Sequence, residues 1–266
     1  MKYTIILYLI FAVDLLFAID INLPYTNNFE TNNDFINLYY FNSGQAVVMT
    51  WDAFEGWENT GCVRGQIQNH GDDVQSGLGE IHWGAAQPRI NIGWLVYFGP
   101  NYWQVIDEQD WKVLLLWGTT DRPKINENSY YSNYRTWAPC RSAGGNCQFW
   151  GGGEWPDGTD PFKIGDWLNQ WLWVEFEVIQ GTHTRLYIYT QDGTFNGVYI
   201  TNNDGGTSTT GINLLFGYWE GAHNITNDSY FKIDMLKIDT QQIGPPPGFF
   251  NFNQPPNTPQ GLKVEK

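Results

Sequence analysis

Positive charge is scarce in this chain, and no cluster of basic residues occurs along it. Lys and Arg together number 14 against 28 Asp and Glu, so the formal net charge is -14. Proteins that bind nucleic acid or an anionic membrane surface usually carry basic patches for that purpose. We therefore expect neither partner. The acidic balance also disfavours a polyanionic substrate, unless a local cationic site overcomes it.

Charge of either sign is low, and helical periodicity is nearly absent. Charged residues make up 16% of the chain, against roughly 25% in an average globular protein. Aromatic residues, in contrast, make up 17% and include 14 tryptophans. This length and composition fit one large β-domain with an aromatic core, an aromatic binding surface, or both.

Long apolar runs are missing except at the N-terminus. There Lys2 precedes an apolar run from Thr4 to Val13, and Ala18 supplies a small residue before polar sequence begins. This pattern predicts a secretory signal peptide over residues 1–18, too short to span a membrane. Asp14 interrupts the apolar region, and a retained N-terminal anchor is the alternative. We expect a mature chain without an integral membrane segment, secreted or attached to the cell surface.

Only three cysteines are present. In an exported protein, "CRSAGGNC" predicts a disulfide between Cys140 and Cys147, because glycines let the chain turn back on itself. Cys62 is then left over, and we expect it to be a buried free thiol. No C-x-x-C pair or His/Cys cluster indicates a zinc site.

Short segments of alternating hydrophobicity fill the chain after the signal, separated by Gly- and Asn-rich turns. In "RINIGWLVYF", every second residue from Ile90 to Phe98 is apolar, with Arg89 and Asn91 on the opposite face. Similar strands are "CVRGQIQN", "DWKVLLLW", "LWVEFEVI" and "YFKIDMLKID". They predict an all-β, antiparallel β-sandwich over residues 19–243. Residues 244–266 are proline-rich and predict a linker or tail.

Several of these segments resemble the concanavalin A-like lectin/glucanase superfamily. "LPYTNNFETNND" is similar to the first strand of its secreted jelly rolls, and "SYFKIDMLKIDT" is similar to the closing strand. "GEIHW" followed by "INIGWLVYFGPNYWQV" resembles the polysaccharide-lyase branch, as do "FKIGDWLNQWLWVEFEVIQGT" and "LYIYTQDG". The resemblance implies two stacked sheets with a ligand groove on one of them. The chain end "PPNTPQGLKVEK" resembles the opening of a fibronectin type III domain, which implies a downstream domain or surface attachment.

The alternation separates expected core residues from expected groove residues. Stacked sheets lie about 10 Å apart, and each strand gives every second residue to the core between them. The expected core residues are Trp94, Phe98, Val113, Leu115, Phe176 and Ile188. In the groove, flat aromatic side chains would stack on sugar rings while polar ones bind hydroxyl groups. The expected substrate-binding residues are Gln66, Glu80, Asn91, Lys112, Trp171, Trp173, Glu175, Tyr187 and Tyr189. This pattern favours a secreted polysaccharide-binding domain.

The resemblance to the lyase branch implies an alternative, β-elimination on a uronate-containing polymer. There, a neutral His or Tyr removes the proton beside the uronate carboxyl group, which Arg, Asn or Gln neutralises. His82, Tyr97 and Arg89 would fill these catalytic roles. Glu80 would lie beside His82, about 6.5 to 7 Å along the strand. A neighbouring carboxylate raises the pKa of a His, which hinders a base at neutral pH, so the two could instead form a structural pair.

Two further classes are open. A glycoside hydrolase needs two carboxylates about 5 to 9 Å apart, and Glu175 and Glu177 share one strand face at such a spacing. However, the chain lacks the E-x-D-x-x-E pattern of laminarinase-like glycosidases, and a solvated acidic face is the alternative. A structural or adhesive surface protein, whose sandwich contacts other protein chains, is the other class. The proline-rich tail supports it as well as the binding domain.

A structural calcium ion is the one cofactor that the resemblance implies. Related jelly rolls often hold calcium between the first and last strands, using carboxylate and carbonyl oxygens. By resemblance, the matching positions are Glu30 and Asp234, with Asp34 as a further candidate. The alternative is that these are ordinary edge residues.

Overall fold

The fold is built from short strands. The computed structural model describes residues 19–42, 46–70, 75–102, 111–117, 123–131, 134–143, 146–149, 167–179, 182–193, 196–201, 209–218 and 225–250. The described helices are α1, Asn32–Ile36, and a 3-10 turn, Trp57–Asn59. The described strands are β1 Ile19–Asp20, β2 Tyr25–Asn27, β3 Tyr39–Asn42, β4 Val47–Asp52, β5 Cys62–Ile67, β6 Gln75–Gln87, β7 Arg89–Phe98, β8 Trp111–Trp117, β9 Pro123–Tyr131, β10 Tyr134–Ala143, β11 Asn146–Phe149, β12 Trp171–Ile179, β13 His183–Thr190, β14 Asn196–Thr201, β15 Thr209–Tyr218 and β16 Tyr230–Asp239.

The strands form two sheets. Sheet A has the spatial order β1-β6-β15-β8-β9-β10-β11, with β3 also paired to β6. Sheet B has the order β14-β13-β12-β7-β16-β5-β4, with β2 also paired to β16. The described pairings are antiparallel, apart from the parallel pairing of β1 with β6. The predicted all-β, antiparallel sandwich is confirmed.

The main core lies between the sheets, where the alternation of each strand placed it. From sheet B, β7 contributes Trp94 and Phe98, and β12 and β13 contribute Phe176 and Ile188, all buried as predicted. The side chains of Val113 and Leu115, the other two expected core residues, lie outside the described part. From sheet A, β6 contributes Ile81 and Trp83.

Glycine lets one bulky ring reach this core between strands. Gly65 in β5 leaves room for Phe231 in β16, because a Cβ on Gly65 would lie 2.3 Å from Phe231 Cζ. That distance is far inside normal carbon–carbon contact, so the packing here requires glycine.

A second apolar cluster lies on the outer face of sheet B, the face turned away from sheet A. It contains Leu95 and Trp173 from the sheet, Trp57 from the 3-10 turn, and Phe249 from the chain beyond β16. We call residues 241–250 the strap, because they cross this face. Phe249 is 1% exposed, so the packed part of the chain extends past residue 243, where the composition predicted a linker.

The predicted signal peptide, residues 1–18, and the tail after residue 250 lie outside the described residues. Within the described part, no helix is long and apolar enough to cross a membrane.

Candidate functional site

The outer face of sheet B carries most of the expected substrate-binding residues. On β12 the inward-facing residues are Leu172, Val174, Phe176 and Val178, so the alternate residues face outward. Register pairing aligns each of them with outward residues of β7 and β13, for example Trp173 with Leu95 and Tyr189. The strands thereby bring seven of the predicted residues to one face: Gln66, Asn91, Trp171, Trp173, Glu175, Tyr187 and Tyr189.

His82 lies on the other sheet. Its neighbours Ile81 and Trp83 are buried in the core, so His82 points to the outer face of sheet A. The imidazole lies over Gly211 of β15, where a Cβ would come within 2.4 Å of His82 Cδ2. The backbone at Glu80 and Lys112 also belongs to sheet A, in β6 and β8, but their side chains lie outside the described residues.

The prediction of one shared groove for all these residues is therefore wrong. Tyr97 and Arg89 lie on the outer face of sheet B, whereas His82 faces outward from sheet A. The core separates the two faces, and the sheets alone are about 10 Å apart, so one sugar cannot contact all three side chains. The physical reason is that alternation separates inside from outside but does not assign a strand to a sheet.

Arg89 and Tyr97 are also far apart on sheet B. They stand at opposite ends of β7, eight residues or about 26 Å along the strand. The catalytic set proposed for a lyase, His82, Tyr97 and Arg89, is thus not assembled.

The strap buries the middle of the outer face. Glu175, at 0% exposure, accepts hydrogen bonds from the backbone N–H groups of Ile243 at 2.9 Å and Gly244 at 2.8 Å. Trp173 and Asn91 are also at 0% exposure. The strap covers Glu175 with its backbone and Trp173 with Phe249. Asn91 is buried on the same face, in register with Glu177 and Asp239.

Burial dominates the electrostatics beneath the strap. It raises the pKa of Glu175, although the two strap N–H groups oppose the rise. It also raises the pKa of Tyr189 to about 12, with smaller contributions from Tyr187 and Glu175. Tyr189 is therefore a neutral phenol at neutral pH.

The end of the face nearest Tyr97 stays open, and we call it the aromatic platform. It consists of the part-exposed rings of Tyr97, Trp171 and Tyr230. Tyr97 packs on Trp171 with ring centroids 5.6 Å apart and stacks on Tyr230 at 6.3 Å. Burial, followed by the proximity of Tyr230, raises the pKa of Tyr97. Tyr230 was absent from the predicted site, although alternation with the buried Phe231 was a usable signal.

Charged side chains border the aromatic platform. Arg64 lies over the Tyr230 ring at 3.6 Å, and Lys232 Nζ lies 5.0 Å from the Tyr97 ring centre. Glu55 pairs with both cations, at 3.5 Å from Arg64 and 2.9 Å from Lys232. Lys232 and Glu55 were not among the predicted site residues. Two cations and one carboxylate leave a small local positive excess on a strongly acidic chain.

Gln66, the remaining expected residue at this end, supports a turn. Its side-chain amide donates to the backbone carbonyl groups of Thr226 at 3.0 Å and Ser229 at 2.9 Å. These bonds fix the turn that leads into β16 and thereby position Tyr230.

The opposite end of the face contains a charged network around Glu177. Its carboxylate accepts from Arg89 at 2.6 Å, Arg185 at 3.4 Å and the Tyr187 hydroxyl at 3.1 Å. Arg89 therefore neutralises a protein carboxylate, and Tyr187 helps to hold it. Since the carboxylates of Glu175 and Glu177 are both buried and hydrogen-bonded, they do not form an open hydrolase pair.

The expected calcium ligands lie near each other, but Asp234 already has protein donors. Its carboxylate accepts from Trp57 N at 3.0 Å, Thr60 Oγ1 at 3.1 Å and Met235 N at 2.7 Å. Burial raises the pKa of Asp234 to about 6, and the nearby Glu30 adds to the rise.

Asp34 closes a capping box with Thr31 at the start of α1. In the described part, no three His, Cys, Asp or Glu side chains come together as a metal site. Calcium also takes backbone carbonyl oxygens, and a calcium ion at Glu30 and Asp234 stays a prediction.

The cysteines are placed as follows. Cys62 is free and buried, as predicted, and burial raises the pKa of its thiol to about 12. Cys140 pairs in register with Phe149, and Cys147 pairs with Ser142. The two cysteines thus lie on adjacent strands, two register positions apart. Their side chains lie outside the described residues, and the disulfide stays a prediction.

Comparison with known proteins identifies the fold class. No family model and no curated protein matches the chain. Among solved structures, "Cellulose induced protein, Cip1" matches with a TM-score of 0.50 at 9% identity, covering 84% of this chain and 100% of that one. The T. cruzi calreticulin globular domain matches with a TM-score of 0.48 at 6% identity, covering 82% and 88%. An alginate lyase Aly36B mutant in complex with alginate tetrasaccharide gives 0.45 at 11% identity, covering 85% and 97%. At 9% identity the match to Cip1 shows the fold alone, a concanavalin A-like β-sandwich.

Proposed function

We propose that this protein binds a neutral or weakly charged polysaccharide at the aromatic platform. The observation that carries the proposal is the group of part-exposed rings, Tyr97, Trp171 and Tyr230, at the uncovered end of sheet B. Flat rings of this kind stack on the apolar faces of sugars.

Polar groups around the platform supply the second half of a sugar site. Asn169 is exposed and accepts from the Tyr97 hydroxyl at 3.3 Å. Arg64 and Lys232 keep donors near the rings while Glu55 offsets part of their charge. Hydroxyl groups of a sugar can pair with such donors and acceptors. Since the whole chain carries -14, a densely anionic polymer would be repelled at longer range.

We further propose that the mature protein is secreted or held at the cell surface. The apolar run with a following small residue at its N-terminus supports this. The resemblance of its last residues to a fibronectin type III opening supports a downstream domain or a surface attachment. The polysaccharide would then be an extracellular one.

The proposal is tested by glycan binding of the mature chain and its variants. Trp171→Ala should weaken binding by about 1–3 kcal/mol, the cost of losing one aromatic stacking partner. Ile36→Ala, which truncates an exposed side chain on α1, is the control and should bind as the wild type. Equal affinity of Trp171→Ala and wild type would show that the site is elsewhere.

Two further measurements, of self-assembly and of ultraviolet absorbance, separate the alternative functions. A chain that binds no glycan and assembles with itself would favour the structural or adhesive class. Rising ultraviolet absorbance on alginate, glucuronan or heparin would report the double bond formed by β-elimination and would restore the lyase alternative.

A further inference from the structure

The face of sheet B that the strap crosses contains buried polar groups without hydrogen-bond partners among the described residues. Both side-chain amide atoms of Asn91 are buried and meet no hydrogen-bond partner in the described part of the chain. Trp173 Nε1 is also buried, and no described acceptor lies in hydrogen-bonding geometry to it. It is nevertheless close enough to Glu175 to lower the pKa of that carboxyl group. Buried polar groups are normally paired, and an unpaired one is costly. An apolar side chain at position 91 would suit a permanent cover better than Asn91 does.

The strap resembles a bound sugar chain in the contacts that it does make. Two N–H donors, from Ile243 and Gly244, point at one carboxylate, as adjacent hydroxyl groups of a sugar would. The Phe249 ring packs in the cluster of Trp57, Leu95 and Trp173. Strap groups therefore occupy positions where a glycan would place hydroxyl groups and ring faces.

The surface beneath the strap is a flat aromatic row that continues from the aromatic platform. The Trp173 indole lies against the backbone of Gly93, because a Cβ there would come within 2.3 Å of Trp173 Cζ2. Tyr189 stacks parallel to Tyr187 with centroids 6.4 Å apart. Phe250 meets Tyr189 edge-on at 6.3 Å. With the strap displaced, Trp173 and Tyr189 would present open ring surface next to Trp171.

The strap is attached to the sheet by few described hydrogen bonds. Its described hydrogen bonds to the sheet are those of Ile243 and Gly244 to Glu175 and that of Gln241 to Asp239. The prolines at 245–247 lack an N–H group and cannot add to them. Gly244 and Gly248 have φ angles of 69° and 82°, which glycine adopts without steric cost.

We propose that the strap is an internal competitor that conceals an extension of the glycan site, formed by Asn91, Trp173, Glu175 and Tyr189. The extension takes a further stretch of the same polysaccharide, stacking on Trp173 and pairing with Asn91 and Glu175. This inference rests on the proposed function, because it extends the site at the aromatic platform. When the strap is docked, the protein binds glycan only through the aromatic platform. When the strap undocks, Asn91, Trp173, Glu175 and Tyr189 are added to the site.

The test uses the full mature chain with the variant Phe249→Ala/Phe250→Ala, which weakens strap docking. Cellohexaose, xylohexaose, laminarihexaose and an alginate hexasaccharide are the probes, and affinity is measured by calorimetry. A competitor that keeps the site mostly closed lowers the apparent affinity, because the intrinsic affinity is multiplied by the fraction of molecules that are open. We expect at least one probe to bind the variant about tenfold or more tightly than the wild type. Circular dichroism and thermal melting check that the variant is folded.

Asn91→Leu in the strap-weakened chain is the matched control. It should remove the gain in affinity, since the concealed row loses its amide, while raising the melting temperature. If Asn91 has only a structural role, Asn91→Leu should change the melting temperature but leave the gain in affinity unchanged.

A second readout needs no strap variant. Hydrogen exchange of the Ile243 and Gly244 amides in the wild type should accelerate when a probe saturates the site, because the probe releases them from Glu175. Unchanged exchange together with unchanged affinity in the strap variant would overturn the inference. If wild-type binding still depended on Trp171, the proposed function would stand. If the strap-weakened chain binds no probe, the inference is overturned. If the wild type also binds none, the proposed function is overturned as well.

Discussion

Replacing Gly93 by alanine should force Trp173 against Phe249, and the two sites should therefore be energetically coupled. A Cβ at residue 93 would lie 2.3 Å from Trp173 Cζ2 and 2.7 Å from Cη2. Carbon atoms in contact prefer about 3.5–4.0 Å, so the indole must move by more than about 1 Å. Trp57, Leu95 and Phe249 pack in the same cluster as that ring and restrict its movement.

The magnitude follows from overpacking. Forcing an extra methyl group into a packed site costs about 1–3 kcal/mol. Phe249→Ala alone costs up to about 3–5 kcal/mol, as for other buried phenylalanines, and less if the strap undocks as a unit. In the double variant, the space left by Phe249 lets the indole shift. The combined loss should then fall short of the sum of the two single losses by about 1 kcal/mol or more.

Gly65→Ala is the control, because its Cβ would lie equally close, at 2.3 Å, to Phe231 Cζ. Phe231 belongs to the core between the sheets, away from Phe249. Gly65→Ala and Phe249→Ala should therefore add to within about 0.5 kcal/mol. Urea denaturation of all five variants gives the free energies of unfolding. Additive losses for Gly93→Ala and Phe249→Ala would refute the packing of Phe249 on Trp173.

Three shorter predictions concern Glu175, the cysteines and calcium. Because the folded-state pKa of Glu175 is raised, its protonated form is favoured by folding, and its contribution to stability should grow as pH falls. The free energy of unfolding of wild type minus Glu175→Gln should thus rise from about pH 8 to about pH 5; a difference independent of pH would contradict this. Alkylation of the mature chain in denaturant without reductant, which exposes the buried Cys62, should modify one thiol, and three modified thiols would exclude the disulfide. Melting in EDTA should lower Tm by several degrees if calcium is bound, and Glu30→Ala should abolish that effect; no response to EDTA would exclude the ion.

The sequence predicted the inside and outside of β7, β12 and β13 well. In β7 the apolar residues from Ile90 to Phe98 alternate with Arg89 and Asn91, and the structure buries the former between the sheets. A period of two needs only local sequence, since successive side chains point to opposite faces. The facing of Trp171 and Tyr187 was predictable for the same reason.

Strand neighbours were not predictable in this way. The segment "GEIHW" alternates like β7, yet β6 pairs with β15 in sheet A while β7 pairs with β12 in sheet B. Which sheet a strand joins depends on contacts far away in sequence, and periodicity has no information about them. The sequence therefore placed His82 on an outward face but could not show that this face belongs to sheet A.

The strap was missed because it forms neither a helix nor a strand. Its prolines indicate a linker, and Phe249 and Phe250 are too few to show a period. Its hydrogen bonds to Glu175 come from backbone N–H groups. Every non-proline residue has such a group, so these bonds cannot be predicted from residue types. Such a segment can be recognised only from the surface that receives it.

The position of β16 sets the order in which this chain can fold. As the last described strand of the sequence, it nevertheless lies between β7 and β5 in the middle of sheet B. Asp234 in this strand holds the backbone of Trp57, 177 residues earlier. Until β16 is available, β7 and β5 have no common neighbour, so the two halves of sheet B cannot be joined. Closing so long a loop costs entropy before any contact repays it. We expect slow folding that is completed only after nearly the whole chain has been synthesised.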